Sequence, residues 1–327
     1  MEMAVTLAEY FKQVKEPMSK GFIADLLRYS DLIGLVPLET IGDIRIRGQR
    51  WQTLPSTNFR ALNGSYTVSQ GTPEEIEETL SILGGEISID RVLDKITNYI
   101  EDPVITQARM LAKSVAFTFN NAFINGDRGV DPDSFEGLKK RVSNMPSRMT
   151  IDLAQSGDSL KVLASDVNIH TFFDAFDQAI KYVDGATHIL MNENTWLKIG
   201  SAVRRISAGE LTLRTNDLGK LVKTYNGIPL VDVGLKSDKA TEIITNTEDP
   251  GDGGNDATSI YVVRMDTDDG LHAIQLSGTS PEVYDPLAGK ESESAPKFIR
   301  RVDWAVGLFN LSQYCICRIK GFKMAAA

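Results

Sequence analysis

Long apolar runs are missing from this chain. None exceeds a few residues, far short of the roughly 20 that span a bilayer, so no membrane crossing is expected. The opening MEMAVTLAEYFKQV has an acid at Glu2 and no cationic stretch leading into a long apolar one, so no secretory leader is expected either. Cysteine is scarce: Cys315 and Cys317 are the only two. Two residues apart, they are expected on one face of a strand as small core fillers, a spacing that rarely makes a relaxed disulfide, and nothing requires an oxidising compartment. Positive charge is in deficit, with 35 Lys and Arg against 44 Asp and Glu, a formal charge of −9 and a pI near 5.0. That balance argues against a protein whose main task is gripping nucleic-acid phosphates.

Catalytic signatures are absent as well. The three histidines, His170, His188 and His272, lie in no H-x-x-x-H or C-x-x-C setting. The chain has no G-x-S-x-G elbow, no P-loop and no G-x-G-x-x-G after a strand, and Gly289-Lys290 lacks both the earlier glycine and the hydroxyl. In MDTDDG, Asp266 and Asp268 match the first and third places of a calcium loop, but the glycine comes one residue early and the twelfth place is Ser277. The acids of EDPGDGGND, Asp249, Asp252 and Asp256, read as a solvated loop. No enzyme, cofactor or metal site is expected. The alternative from a different class is a metal-dependent α+β enzyme using Asp249, Asp252 or Asp266.

What is present is an ordinary globular composition, 42% apolar and 24% charged, over 327 residues: two domains or one elaborated domain. Thr6 and Glu9 have capping-box spacing ahead of Leu7, Tyr10, Phe11 and Val14, a helix that Pro17 should stop. Phe22, Ile23, Leu26 and Leu27 mark a second amphipathic piece. Together these read as a helical arm with nothing of its own to pack against. From about Ile41 the period becomes two, with Ile44 and Ile46 pointing opposite to Arg45 and Arg47. A polar stretch, STNFRALNGSYTVSQGTP, separates this from EEIEETLSI. The pattern predicts a long two-stranded ribbon, with Arg45, Arg47, Arg50 and Arg60 on one limb and Glu74, Glu75, Glu77 and Glu78 on the other. Such a ribbon is marginal alone and needs something to lie on.

The strongest element follows. Asp102 and Pro103 suit a helix start, and Ile105, Ala108, Leu111, Ala112, Val115, Phe119, Ala122 and Phe123 form a stripe ending at Asn125-Gly126. About 22 residues give a rod of roughly 33 Å. The next stretch, NGDRGVDPDSFEGLKK, has the glycines, acids and lysines of a phosphate or metal loop. Its glycines follow a helix C-terminus rather than precede an N-terminus, so it reads as a hinge, with Phe135 and Leu138 buried. Beyond it lie a helix over NIHTFFDAFDQAIKYVDG, a buried strand THILM, a helix capped at Asn192 or Asn194, and a hairpin at Asn226-Gly227 with Pro229 at an edge or bulge. SIYVVRMDTDDGLHAIQL reads as two strands about Asp269-Gly270. VDWAVGLFNLSQYCICRIKGF reads as one long strand with Leu311, Cys315, Cys317 and Ile319 on one face.

A rod helix running into FINGDRGVDPDSFEGLKKRV resembles the major capsid proteins of tailed bacteriophages, the Hong Kong 97-like fold. THILMNENTWLKI, TYNGIPLVDVG and the closing segment resemble, in order, the strand-then-helix, later hairpin and final strand of that family. The resemblance implies an α+β fold with an N-terminal arm (1–38), an extended loop (39–80), a peripheral domain with spine helix 103–124 (81–165), an axial domain (166–270) and a return to the peripheral domain (271–327). It implies a coat protein that assembles with itself as hexamers and pentamers into an icosahedral head around double-stranded DNA, without sequence-specific binding. Arg45, Arg47, Trp51, Glu75 and Glu77 are then the expected inter-subunit contacts. The expected location is the virion capsid, assembled in the host cytoplasm. An arm of 38 residues leaves no room for a fused scaffolding segment, so either a separate scaffolding protein exists or this is the mature chain. A separate scaffolding protein, a portal and a decoration protein are the expected partners. An encapsulin-type compartment shell is the alternative within the same fold.

Overall fold

The computed structural model describes residues 5–7, 17–94, 103–206, 211–215, 221–251, 253–279, 281–287 and 295–325. Strand β1 (Val5–Thr6) is followed by helix Pro17–Tyr29, short helix Asp31–Leu35, and strands β2 (Pro37–Ile41), β3 (Arg45–Thr53), β4 (Thr72–Thr79) and β5 (Ser81–Asp90). The long helix Pro103–Asn125 and a one-turn-and-a-half helix, Leu138–Ser143, lead to β6 (Thr150–Asp152) and β7 (Leu160–Lys161). Helix Asp166–Tyr182, β8 (His188–Met191) and helix Glu193–Ile206 precede β9 (Leu211–Thr215), β10 (Leu221–Tyr225) and β11 (Ile228–Asp232). The chain ends with β12 (Thr258–Val263), β13 (Leu271–Leu276), β14 (Val283–Tyr284), β15 (Lys297–Asn310) and β16 (Ile316–Lys323).

The first sheet runs β1-β2-β13-β15-β14, with β5 along β15 for ten register pairs from Lys297↔Asp90 to Val306↔Ser81. The long helix lies on it because its 3.6-residue period puts Ala112, Val115, Phe119 and Phe123 on one stripe. Phe119 stacks on Trp304 of β15 at 5.3 Å. The buried stripe begins at Ala108; Ile105, expected within it, is 46% exposed. The second sheet runs β6-β16-β12-β8-β11-β10-β9. Its central strands are buried on both faces, and alternation divides their side chains between two cores. Leu190, Tyr261, Val263 and Ile316 join the first core, while Ile189, Met191, Ile260, Val262 and Cys317 join the second, under helix Asp166–Tyr182.

Several expectations change. Pro17 begins a helix, where its fixed φ and missing N–H fit a first turn; the helix expected ahead of it falls on residues 8–16, outside the described residues. Thr6 pairs with Pro37 in a strand, and Glu9, Tyr10, Phe11 and Val14 lie outside the described residues. Phe22, Ile23 and Leu26 have a partner after all: they are buried in the first core with the long helix. Pro229 sits in an interior strand, at its first turnward positions. It faces Thr224, one pair beyond the Asn226-Gly227 turn, and pairing with β8 begins only at Leu230, so no ladder bond needs its nitrogen. Strands β12 and β13 do not form a hairpin but enter different sheets, joined by a single bridge, Met265↔Leu271. The closing segment is two strands. β15 ends at Asn310, the chain turns over 311–315, and β16 pairs with β12 in the second sheet, so residues 316–323 leave the first sheet. Cys315, in that turn, packs in the first core and Cys317 in the second, so they share no face.

Candidate assembly surface

Strands β3 and β4 form a separate two-stranded ribbon with Arg45↔Thr79, Arg47↔Glu77, Gln49↔Glu75 and Trp51↔Pro73 in register. Alternation gives it two unlike faces. The outer face carries all five expected contact residues. Arg45 and Arg47 both reach Glu77, at 2.9 and 3.0 Å, while Trp51 stands 82% exposed. Glu75 faces Gln49 and has no cationic partner among the described residues. Two arginines on one carboxylate, beside an unpaired one, leave this face with charge to share. These exposed pairs contribute little to folding, roughly 0.2–1 kcal/mol each.

The inner face rests on the chain's own body. Ile46 and Ile76 pack with Leu80, Ile274 and Phe309. Gly48 lets the strand lie close there, because a Cβ would stand 2.8 Å from the Phe309 ring and 2.9 Å from Leu311, whose side chains would have to move. Arg50 binds Glu74 at 2.6 Å, and that hydrogen bond holds the Glu74 carboxyl below its usual range. Beyond a register shift between Trp51 and Thr53 the support ends. Residues 54–71 form no strand, and Leu54, Phe59, Leu62, Tyr66 and Val68 are 64–108% exposed. The tip's inward bonds are few: Arg60 lies over the Tyr66 ring at 5.3 Å, and Ser69 Oγ donates to the Ser56 carbonyl at 3.1 Å. As a polar stretch in sequence, the tip hid this row of apolar side chains. The signal was five large apolar residues without the helical or alternating period that would bury them.

Three further residues at the ribbon's base were not legible in the sequence. Glu78, on the inner face, meets Arg141 at 2.8 Å; both side chains are nearly buried. Arg141 also donates to the Glu136 and Leu308 carbonyls and to Asn310 Oδ1. Arg128 donates to the Thr79 and Ser134 carbonyls. Gly126 makes this packing possible, because a Cβ there would fall 2.3 Å from the Phe135 carbonyl oxygen.

Residues 46–165, which span the ribbon, the long helix and the segment that clamps them, match the family model Major capsid protein GP7. The fold resembles an encapsulin, the holo-SrpI complex of Synechococcus elongatus PCC 7942, with TM-score 0.63 at 14% identity over 90% of this chain and 87% of that one. It also resembles the capsid of Cyanophage A-1(L), with TM-score 0.58 at 13% identity over 90% and 93%. Microbacterium phage Oxtober96 gives TM-score 0.54 at 10% identity over 89% and 90%. No curated protein matches by sequence. The chain has the Hong Kong 97-like capsid fold.

The structure gives most of the acidic-loop carboxylates partners within the chain. Asp249 accepts the Gly251 and Gly253 amides, Asp256 pairs with Lys323, and Asp266 pairs with Arg264 at 2.9 Å. Asp252 lies outside the described residues. Among the described residues no group of His, Cys, Asp and Glu could hold a metal. Burial would raise the Glu248 carboxyl, but Arg318, Ser259 and Lys139 outweigh it and hold the group below its usual range. Burial lowers His188 to about 4 and pushes both thiols up to about 12, so Cys315 and Cys317 are poor nucleophiles. His272 Nε2 lies 3.0 Å from Glu39, tying β13 to β2.

Proposed function

We propose that the chain forms the wall of an icosahedral phage head, as hexamers and pentamers enclosing double-stranded DNA. The ribbon of each copy would lie across its neighbour. The observation that carries this reading is the ribbon's tip: a row of large apolar side chains, fully solvated in one copy and held out on a charge-laced stalk. Covering them on a second copy would gain about 1.5–3 kcal/mol for each side chain fully buried. Arg45, Arg47, Glu75, Glu77 and Trp51 would form the polar rim of that contact, weak singly and summed by closed symmetry. A formal charge of −9 suits a container that must not stick to packed DNA. A separate scaffolding protein, a portal and a decoration protein are proposed as partners, with assembly in the host cytoplasm.

The likeness to an encapsulin favours a second reading in the same fold, a shell loaded with protein. Light scattering and negative-stain microscopy of the purified protein, with and without a scaffolding partner, test the shell itself. Closed particles or rings of five or six support it, and a monomer under every condition overturns it. Nuclease-protected DNA inside particles made in infected cells separates the phage head from the protein-loaded compartment.

A further inference from the structure

Glutamates 77 and 78 adjoin in sequence, but one faces solvent with two arginines and the other is enclosed with Arg141. Arg141 is only 6% exposed, and its partners come from three places: Glu78 at the root of the ribbon, the Glu136 carbonyl of the loop after the long helix, and Leu308 and Asn310 at the end of β15. One residue on from Glu78, the Thr79 carbonyl accepts from Arg128 of the same loop. The short helix Leu138–Ser143 that presents Arg141 is itself pinned on other sides. Lys139 reaches Glu248 at 3.0 Å and Lys140 reaches Asp127 at 3.2 Å, while Leu138 and Val142 are buried in the first core. Ile46, Ile76 and Gly48 rest the paired strands on Phe309 and Leu311, and this polar cluster holds their root, so the supported part of the ribbon sets the direction of the tip beyond it.

We infer that residues 126–143 are a latch that fixes the angle at which the ribbon leaves the body, with Arg141 and Arg128 as positioning residues for assembly. They need touch no neighbouring copy. They act by aiming the tip, and the assembly consequence rests on the capsid reading above. A rotation about Glu78 and Thr79 would displace Phe59 and Leu62 at the far end of the ribbon, and the buried Arg141, bonded to three parts of the chain at the root, opposes it.

The test uses Glu78→Gln in the full chain, with Glu78→Asp as the conservative variant and Glu75→Gln as an exposed control. Hydrogen exchange on the unassembled protein reads the latch directly. Glu78→Gln should speed exchange at residues 44–48 and 76–80 by at least about tenfold, while the amides of β12 and β16 keep their protection. Glu78→Asp should restore part of that protection, and Glu75→Gln should change nothing. Unchanged exchange at the root in Glu78→Gln, or equal loss throughout the chain, would overturn the latch. Assembly is then followed by microscopy. A Glu78→Gln protein that has lost root protection should give aberrant or open shells, and normal shells from it would overturn the positioning role. A wild-type chain that never forms shells would instead count against the capsid reading, leaving the exchange result to stand alone.

Discussion

The two ends of one ribbon differ in what holds them. At the root, alternation along β3 and β4 sends Ile46, Ile76 and Glu78 into the body, where they meet Phe309 and Arg141. At the tip the same two limbs carry Phe59, Leu62 and Val68 into solvent, at 91–108% exposure. The root obeys the rules of a folded interior, with satisfied charges and close contact. The tip breaks them, and a natural sequence that breaks them over a contiguous stretch does so where a site is made with another molecule. The contrast separates residues that build the chain's own body from those proposed to meet neighbouring copies.

The largest effect should come from cutting the root's buried ion pair. Arg141→Met leaves Glu78 enclosed without a counter-charge and should cost about 3–5 kcal/mol in urea unfolding; a loss no bigger than that of an exposed pair would erase the distinction. Acid sharpens it from the side of the body. The folded pKa of His188 is depressed, so its contribution is complete above 6.5 and is lost as pH falls toward about 4. That loss is on the order of 3 kcal/mol. Glu248, also depressed, holds its contribution above its ordinary value near 4.5 and loses it as pH falls further. His188→Gln should flatten the stability profile between pH 6.5 and 4, and a profile still sloping there would assign the loss to other groups. Smaller again, Gly48→Val drives a side chain into Phe309 and Leu311 and should lower stability by about 1–3 kcal/mol. At the tip, the double variant Phe59→Ser and Leu62→Ser should leave unfolding within about 0.5 kcal/mol of wild type. Shell formation, scored by microscopy, should nevertheless fail. A destabilised tip variant would mean that the tip packs on its own chain.

Much of the fold was legible because its signals are local. Period 3.6 and an Asn-Gly stop gave the long helix, Asn226-Gly227 gave a hairpin, and segregated charge gave the ribbon with its limbs of opposite charge. What stayed hidden is set by distant partners. Glu78 is distinguished from Glu77 by Arg141, 63 residues away in the chain. The separation of β12 from β13 depends on which sheet has room, and the break in the closing segment depends on two cores competing for one run of apolar residues. The contact residues were chosen by type on the ribbon's outer face; the apolar tip, diluted among Ser, Thr and Asn, was passed over because no period announced it.

Cys315 and Cys317 are separated by one residue yet sealed in different cores, each with its thiol held protonated. Placed so, they are a pair of built-in clocks. A small alkylating reagent can reach each sulfur only when its own half of the molecule opens, and one proteolytic peptide reports both. Their relative labelling rates, followed before and after subunits join, would time whether assembly quietens one half of the subunit more than the other, with no foreign probe introduced.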